Sequence, residues 1–95
     1  MEEKYLEKAA YILKTIAHPV RLAIIDELRN NNQFAVSDIC KALKIEQSII
    51  SHHLIHMKLR GLLKSAKSGQ QVFYSLKEPN LTEVIQCVNN CNCNM

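Results

Sequence analysis

Gln47-Ser-Ile-Ile-Ser-His-His-Leu-Ile-His-Met-Lys-Leu-Arg-Gly-Leu-Leu-Lys64 places Ile50, Leu54 and Met57 at i, i+4 and i+7, the spacing of one apolar stripe along an α-helix. Gln47, Ser48, Ser51, His52, Lys58 and Arg60 are left facing elsewhere, and Gly61 stops the helix. The chemistry of that second face is specific. Gln pairs bidentately with adenine, Ser and His reach base edges or phosphates, and Lys and Arg neutralise backbone charge. His53 lies on the same helix, where phosphate or base contact is open to it. An ordinary solvated helix would also be polar here, so the helix alone leaves both readings standing.

The flanking segments narrow the choice. On the N-terminal side, Ser37 has the character of an N-cap, Asp38 would sit in a first turn where the helix dipole favours negative charge, and Ile39, Ala42 and Leu43 point inward. This short helix ends near Lys44. A turn at Lys44-Ile45-Glu46 then joins it to the Gln47–Arg60 helix, which is the spacing of a helix-turn-helix pair. On the C-terminal side, residues 62–66 and 71–76 read as two strands joined by Lys67-Ser68-Gly69-Gln70, with Gly69 free to take positive φ. Beside a helix-turn-helix such a hairpin is a wing, able to lay Lys64, Lys67 and Gln70 along a phosphate backbone or into a minor groove. The alternative is an edge hairpin whose lysines only guard against aggregation.

Two helices precede this unit. Leu6, Ala9, Ile12, Leu13, Ile16 and Ala17 keep helical spacing from about Glu3 to Ala17; His18-Pro19 breaks that helix, and Pro19 opens the next at its first turn. Val20, Leu22, Ala23, Ile24, Ile25 and Leu28 give the second helix a wide apolar face, ended by Asn30-Asn31-Asn32. Phe34-Ala35-Val36 reads as short and extended. After Lys77-Glu78-Pro79-Asn80, helical periodicity returns through Leu81, Val84, Ile85 and Val88. The predicted fold is mainly α with a small β-hairpin, a winged helix-turn-helix in the order α-α-α-α-β-β-α, forming one domain over residues 1–95 with a Cys-rich tail at 87–95.

The 95 residues are 47% hydrophobic, enough for one small core but near the size at which oligomerisation helps. No apolar run approaches the roughly 20 residues that span a bilayer, and Met-Glu-Glu-Lys has no signal-peptide core behind it, so a cytoplasmic protein without a membrane partner is expected. A formal charge of +3 permits a nucleic-acid partner without establishing one. With two glycines in all, no phosphate-binding loop, no nucleophile elbow and no paired carboxylates on one face, the chain does not read as an enzyme. A small metal-binding or protein-interaction module is the competing class, though it would have no need of the polar face at Gln47–Arg60.

The order of elements, together with His18-Pro19-Val20-Arg21-Leu22, Ser51-His52-His53-Leu54, Arg60-Gly61-Leu62-Leu63 and the Tyr-ending wing strand, resembles the ArsR/SmtB family of winged-helix repressors over about residues 5–88. The resemblance implies a homodimer joined through its first and last helices, bound to double-stranded operator DNA and released by an inducer. Arg21 matches the family arginine, for which phosphate contact or capping of neighbouring carbonyls are the two roles.

Where metal sensors of the family often carry two cysteines at the third helix, this chain has Ala35 and Ser37. Another common site uses Asp, His and Glu on the last helix, yet residues 81–95 hold no His and no Asp. The pairing of a second-helix cysteine with one on the last helix, seen in sulfide and redox sensors, meets Asp26 instead. What remains is Cys87, Cys91 and Cys93: the first two share a helix face at i, i+4, and Cys93 can fold back from a frayed end. Three thiolates suit As(III), Sb(III) or a soft divalent ion as inducer, with no cofactor otherwise required. Cys40 is either a packing residue or a fourth ligand, and thiol oxidation or sulfide is the rival signal. His52 and His56 are four apart but have no third ligand nearby.

Overall fold

The computed structural model describes residues 2–89. Its elements run α1 (Glu3–Ile16), α2 (Pro19–Asn30), β1 (Phe34–Ala35), α3 (Val36–Leu43), α4 (Gln47–Leu59), β2 (Leu63–Ser68), β3 (Gln71–Leu76) and α5 (Asn80–Asn89). Local chemistry sets most of the boundaries. The Nδ1 atom of His18 accepts from the Val20 amide at 3.1 Å and caps α2, while Pro19 occupies the first turn, where its missing N–H costs nothing. At the end of α4, Gly61 adopts φ +84°. The Leu62 amide then donates to the Met57 carbonyl and the Gly61 amide to the Lys58 carbonyl, both at 3.0 Å, which is a Schellman ending. Leu62 and Met57, 2% and 0% exposed, supply its apolar contact.

The α3–α4 turn is built on Lys44, the one non-glycine residue with positive φ (57°) among those described. That conformation lets the amides of Lys44 and Ile45 both close back on the Cys40 carbonyl. Ser37 is not the cap of α3. The helix starts at Val36 after Ala35, without a side-chain cap, because Phe34 and Ala35 are held extended by pairing with Tyr74 and Phe73 of β3.

That pairing enlarges the expected hairpin into a three-stranded antiparallel sheet of order β1-β3-β2. β2 is also longer than its sequence suggested. It runs to Ser68, paired with Gln71, so Lys67 lies within the strand opposite Val72 and the turn shrinks to Gly69-Gln70. Gly69, at φ +63°, sits at the first central position of that turn, as a type II′ hairpin requires. The core gathers Ile24, Ile25 and Leu28 of α2, Ile39 of α3, Ile50, Leu54 and Met57 of α4, Leu62, Leu63, Tyr74, and Leu81 and Ile85 of α5. Ile12 and Ile16 complete it from α1, whereas Leu6 and Leu13 stay 50% and 52% exposed.

Candidate nucleic-acid interface

α4 is held by three 0%-exposed side chains, Ile50, Leu54 and Met57, as its periodicity predicts. The opposite side is open: Gln47, Ser48, His52 and Lys58 are exposed and Ser51 is half-buried. Their helical offsets put Ser48 and His52 on the outermost stripe, with Ser51 and Lys58 on the flank that meets the sheet. Lys58 Nζ donates to the Ser65 hydroxyl of β2 at 2.7 Å, which ties the wing to the end of α4.

His53 and Arg21 depart from the expectation of DNA contact. His53 is only 8% exposed and turns inward, where its Nδ1 accepts from Arg21 Nε at 3.1 Å. The other arm of the guanidinium donates to the Thr15 carbonyl at 2.8 Å, so Arg21 fulfils the capping role and joins three helices rather than facing outward. The His18 ring lies 4.5 Å from that of His53, centroid to centroid. Burial holds the His53 pKa below the usual imidazole value, and the charges of His18, Arg21, His52 and His56 push it the same way. His56 is also lowered, chiefly by desolvation, and its Nδ1 is buried without a partner. A neutral His53 is what Arg21 requires, since a protonated Nδ1 cannot accept.

A second strut reaches α4 at its far end. The Tyr11 hydroxyl of α1 donates to the Arg60 carbonyl at 3.2 Å, and the Arg60 guanidinium carbon lies 5.7 Å from the Tyr11 ring centroid.

Lys64, Lys67 and Gln70 are all exposed, but strand alternation separates the two lysines. Lys67 shares a face with Leu63 and Ser65, the side turned to α4; Lys64 lies on the reverse face. Lys67 and the tip residue Gln70 therefore extend the surface of α4, and Lys64 addresses a different direction.

The sequence carries one further signal, in how its charges are distributed. From Gln47 to Lys77 there is no Asp or Glu, while Lys58, Arg60, Lys64, Lys67 and Lys77 supply five of the twelve Lys and Arg residues. The near-balanced total hides a segment of one sign that coincides with α4 and the wing.

The expected thiolate site is placed only in part. Cys40 is half-buried on α3 and packs against the core. Cys87 is exposed near the end of α5 and lines a groove of about 240 Å³ between α1 and α5, with Tyr5, Ile12, Leu13 and Val84. Cys91 and Cys93 lie outside the described residues. Among the described residues, no three His, Cys, Asp or Glu side chains are arranged to hold a metal ion, and no helix is long and apolar enough to cross a membrane.

Residues 18–65 match the family model described as bacterial regulatory protein, arsR family. The transcriptional repressor PagR of Bacillus anthracis is 39% identical over 90 residues, covering 94% of this chain and 89% of PagR. An HTH-type transcriptional regulator of Methanocaldococcus jannaschii is 40% identical over 87 residues, covering 92% and 97%. The crystal structure of PagR superposes with a TM-score of 0.82 at 38% identity, covering 93% of this chain and all of that one (100%). HlyU of Vibrio cholerae superposes at 0.86 with 31% identity, covering 98% and 100%.

Proposed function

The chain belongs to the arsR family of bacterial regulatory proteins, which are transcriptional regulators and not enzymes, and on that premise we propose that it is a homodimeric repressor acting on operator DNA in the cytoplasm. The observation that carries this is the exposed face of α4. Gln47, Ser48 and His52 stand outward within a stretch of 31 residues, 47–77, that contains no carboxylate. Base edges would meet Gln47, Ser48, Ser51 and His52; phosphates would meet Lys58, Lys67 and Gln70, with Lys64 on an outer strand of the backbone. Dimerisation is supported by α1, where Tyr5, Leu6 and Leu13 are 59%, 50% and 52% exposed beside the groove against α5. In water those side chains gain nothing, and a second copy would cover them.

For the inducer, the reading is a soft metalloid or metal ion, As(III), Sb(III) or a divalent cation, bound by Cys87, Cys91 and Cys93. Support comes from the position of Cys87, exposed at the edge of the α1–α5 groove, so that an ion held there would act on the proposed dimer contact. Cys40, packed against the core, is not needed. The test is a gel shift on DNA flanking the gene, with the full-length protein and added arsenite, antimonite, zinc or peroxide. Release by arsenite or antimonite that Cys91→Ser abolishes, with DNA binding intact, supports the reading. Release by peroxide alone assigns the tail to thiol oxidation, and retention of the full metal response by a Cys87/Cys91/Cys93 triple Ser variant rejects it.

A further inference from the structure

The polar residues of α4 do not account for its whole outer surface. Ile49 and Ile55 are 45% and 51% exposed. Ile55 falls on the outermost stripe with Ser48 and His52, at i, i+4 and i+7, and Ile49 flanks it one turn from the helix start. Neither residue is there for the fold. β-branched side chains are mediocre helix formers, and at these positions they stand outside the core cluster and leave about half of each residue in water. Folding and solubility would both be served better by Ala, Gln or Lys.

The surroundings state what would cover them. The patch interrupts a polar reading face, and every ionised side chain on α4 and the wing is cationic. An acidic or apolar protein surface would leave Gln47, Ser48 and His52 without a purpose, whereas duplex DNA satisfies both sets at once. In the major groove the one apolar feature of a base edge is the thymine C5 methyl. Gln47 suits adenine N6 and N7 on the partner base of the same kind of pair. We infer that Ile49 and Ile55 are specificity residues that pack on thymine methyl groups, so that the half-site read by α4 is rich in A·T pairs. Leu59, 79% exposed, continues the same stripe one turn beyond Ile55 at the last residue of α4, and the inference is confined to the two isoleucines that stand among the polar reading residues.

The inference rests on the DNA-binding reading of α4, and its experiment separates the two. The probe is a duplex selected by the full-length protein from a random-sequence pool, prepared with thymine and again with uracil at each half-site position in turn. Uracil keeps every hydrogen-bonding group and lacks only the methyl. Affinities are read by fluorescence anisotropy for wild type, Ile49→Ala and Ile55→Ala. Wild type should bind about fourfold more weakly for each recognised methyl removed, the factor expected for one buried CH₂-sized group. Each variant should lose that sensitivity at one position and keep it at the other. A wild type indifferent to uracil overturns the inference while leaving the DNA reading intact, as do variants that lose affinity equally on both duplexes. Variants that bind both duplexes normally but dissociate the oligomer in ultracentrifugation would assign the patch to a protein contact and also overturn it. Failure to select any duplex would fell the DNA reading itself.

Discussion

Arg21 and His53, 32 positions apart in sequence, are joined by a 3.1 Å hydrogen bond in which the arginine donates and the imidazole accepts. Because the same guanidinium also holds the Thr15 carbonyl, one side chain of α2 fixes the end of α1 and the inward flank of α4 together. Arg21→Ala should lower stability by about 1–3 kcal/mol, since it strips a buried acceptor on each side of its partner. Arg21→Lys should recover little of this, because a single ammonium cannot reproduce the two fixed directions of the fork. Urea denaturation measures both; full rescue by lysine would show that only the charge matters.

The same bond sets a pH dependence. His53 is held below its unfolded value of about 6.5, so the folded state resists protonation more than the unfolded chain does. Its contribution is intact above about pH 6.5 and is lost as the pH falls from there through the depressed folded value. His56 acts in the same direction. In His53→Asn, whose side-chain oxygen can still accept from Arg21 but cannot titrate, the fall in stability between about pH 6.5 and 5 should be shallower than in wild type, with the His56 part remaining. An unchanged slope would remove His53 from the account.

On DNA, Gln47→Ala should cost roughly 1–3 kcal/mol on the specific site and little on unrelated duplexes, since base contacts specify. Lys67→Ala should weaken all duplexes alike and reduce the salt slope by about one. Titrations between about 50 and 200 mM salt separate the two behaviours, and identical responses from both variants would refute the division of roles.

Leu13→Glu, at a side chain 52% exposed in the single chain, should leave the fold intact while shifting the protein toward monomer. Ultracentrifugation and circular dichroism check the two halves of that statement. A variant that unfolds would instead place Leu13 in the core.

Lys44→Gly should stabilise the protein by up to about 1 kcal/mol, because glycine takes the left-handed conformation at φ 57° without the steric cost borne by lysine. Loss of stability would indicate that the lysine stem contributes packing that outweighs the strain.

How much of this was legible beforehand follows from the range of the interactions involved. The stripe Ile50-Leu54-Met57, the Gly61 stop and the His18-Pro19 break are local and were readable from spacing alone. β1 has two residues, too few for any periodicity, and it exists because β3, about 40 positions away, supplies its hydrogen bonds; it also displaced the N-cap of α3 from Ser37 to Ala35. His53 misled for a similar reason. An imidazole beside the apolar stripe suits either side of a helix, and only its non-local partner Arg21 decides that it faces in. Ala42, expected inside, is exposed, since an eight-residue helix buries a narrow stripe around Ile39. The candidate DNA face was readable in its polar residues, whereas Ile49 and Ile55 fall off the apolar stripe and only the packing of α4 shows them exposed.

The strand formed by Phe34 and Ala35 makes the wing a braced lever rather than a loose flap. β3 is clasped on both edges, by β1 at the threshold of the helix-turn-helix and by β2 at the exit of α4, and the Lys58–Ser65 bond adds a cross-tie. α4 and the hairpin tip are thus the two jaws of one caliper, its opening set by contacts within the chain. Lengthening the Gly69-Gln70 turn would extend one jaw without moving the other, whereas breaking the β1 pairing would let the gauge drift.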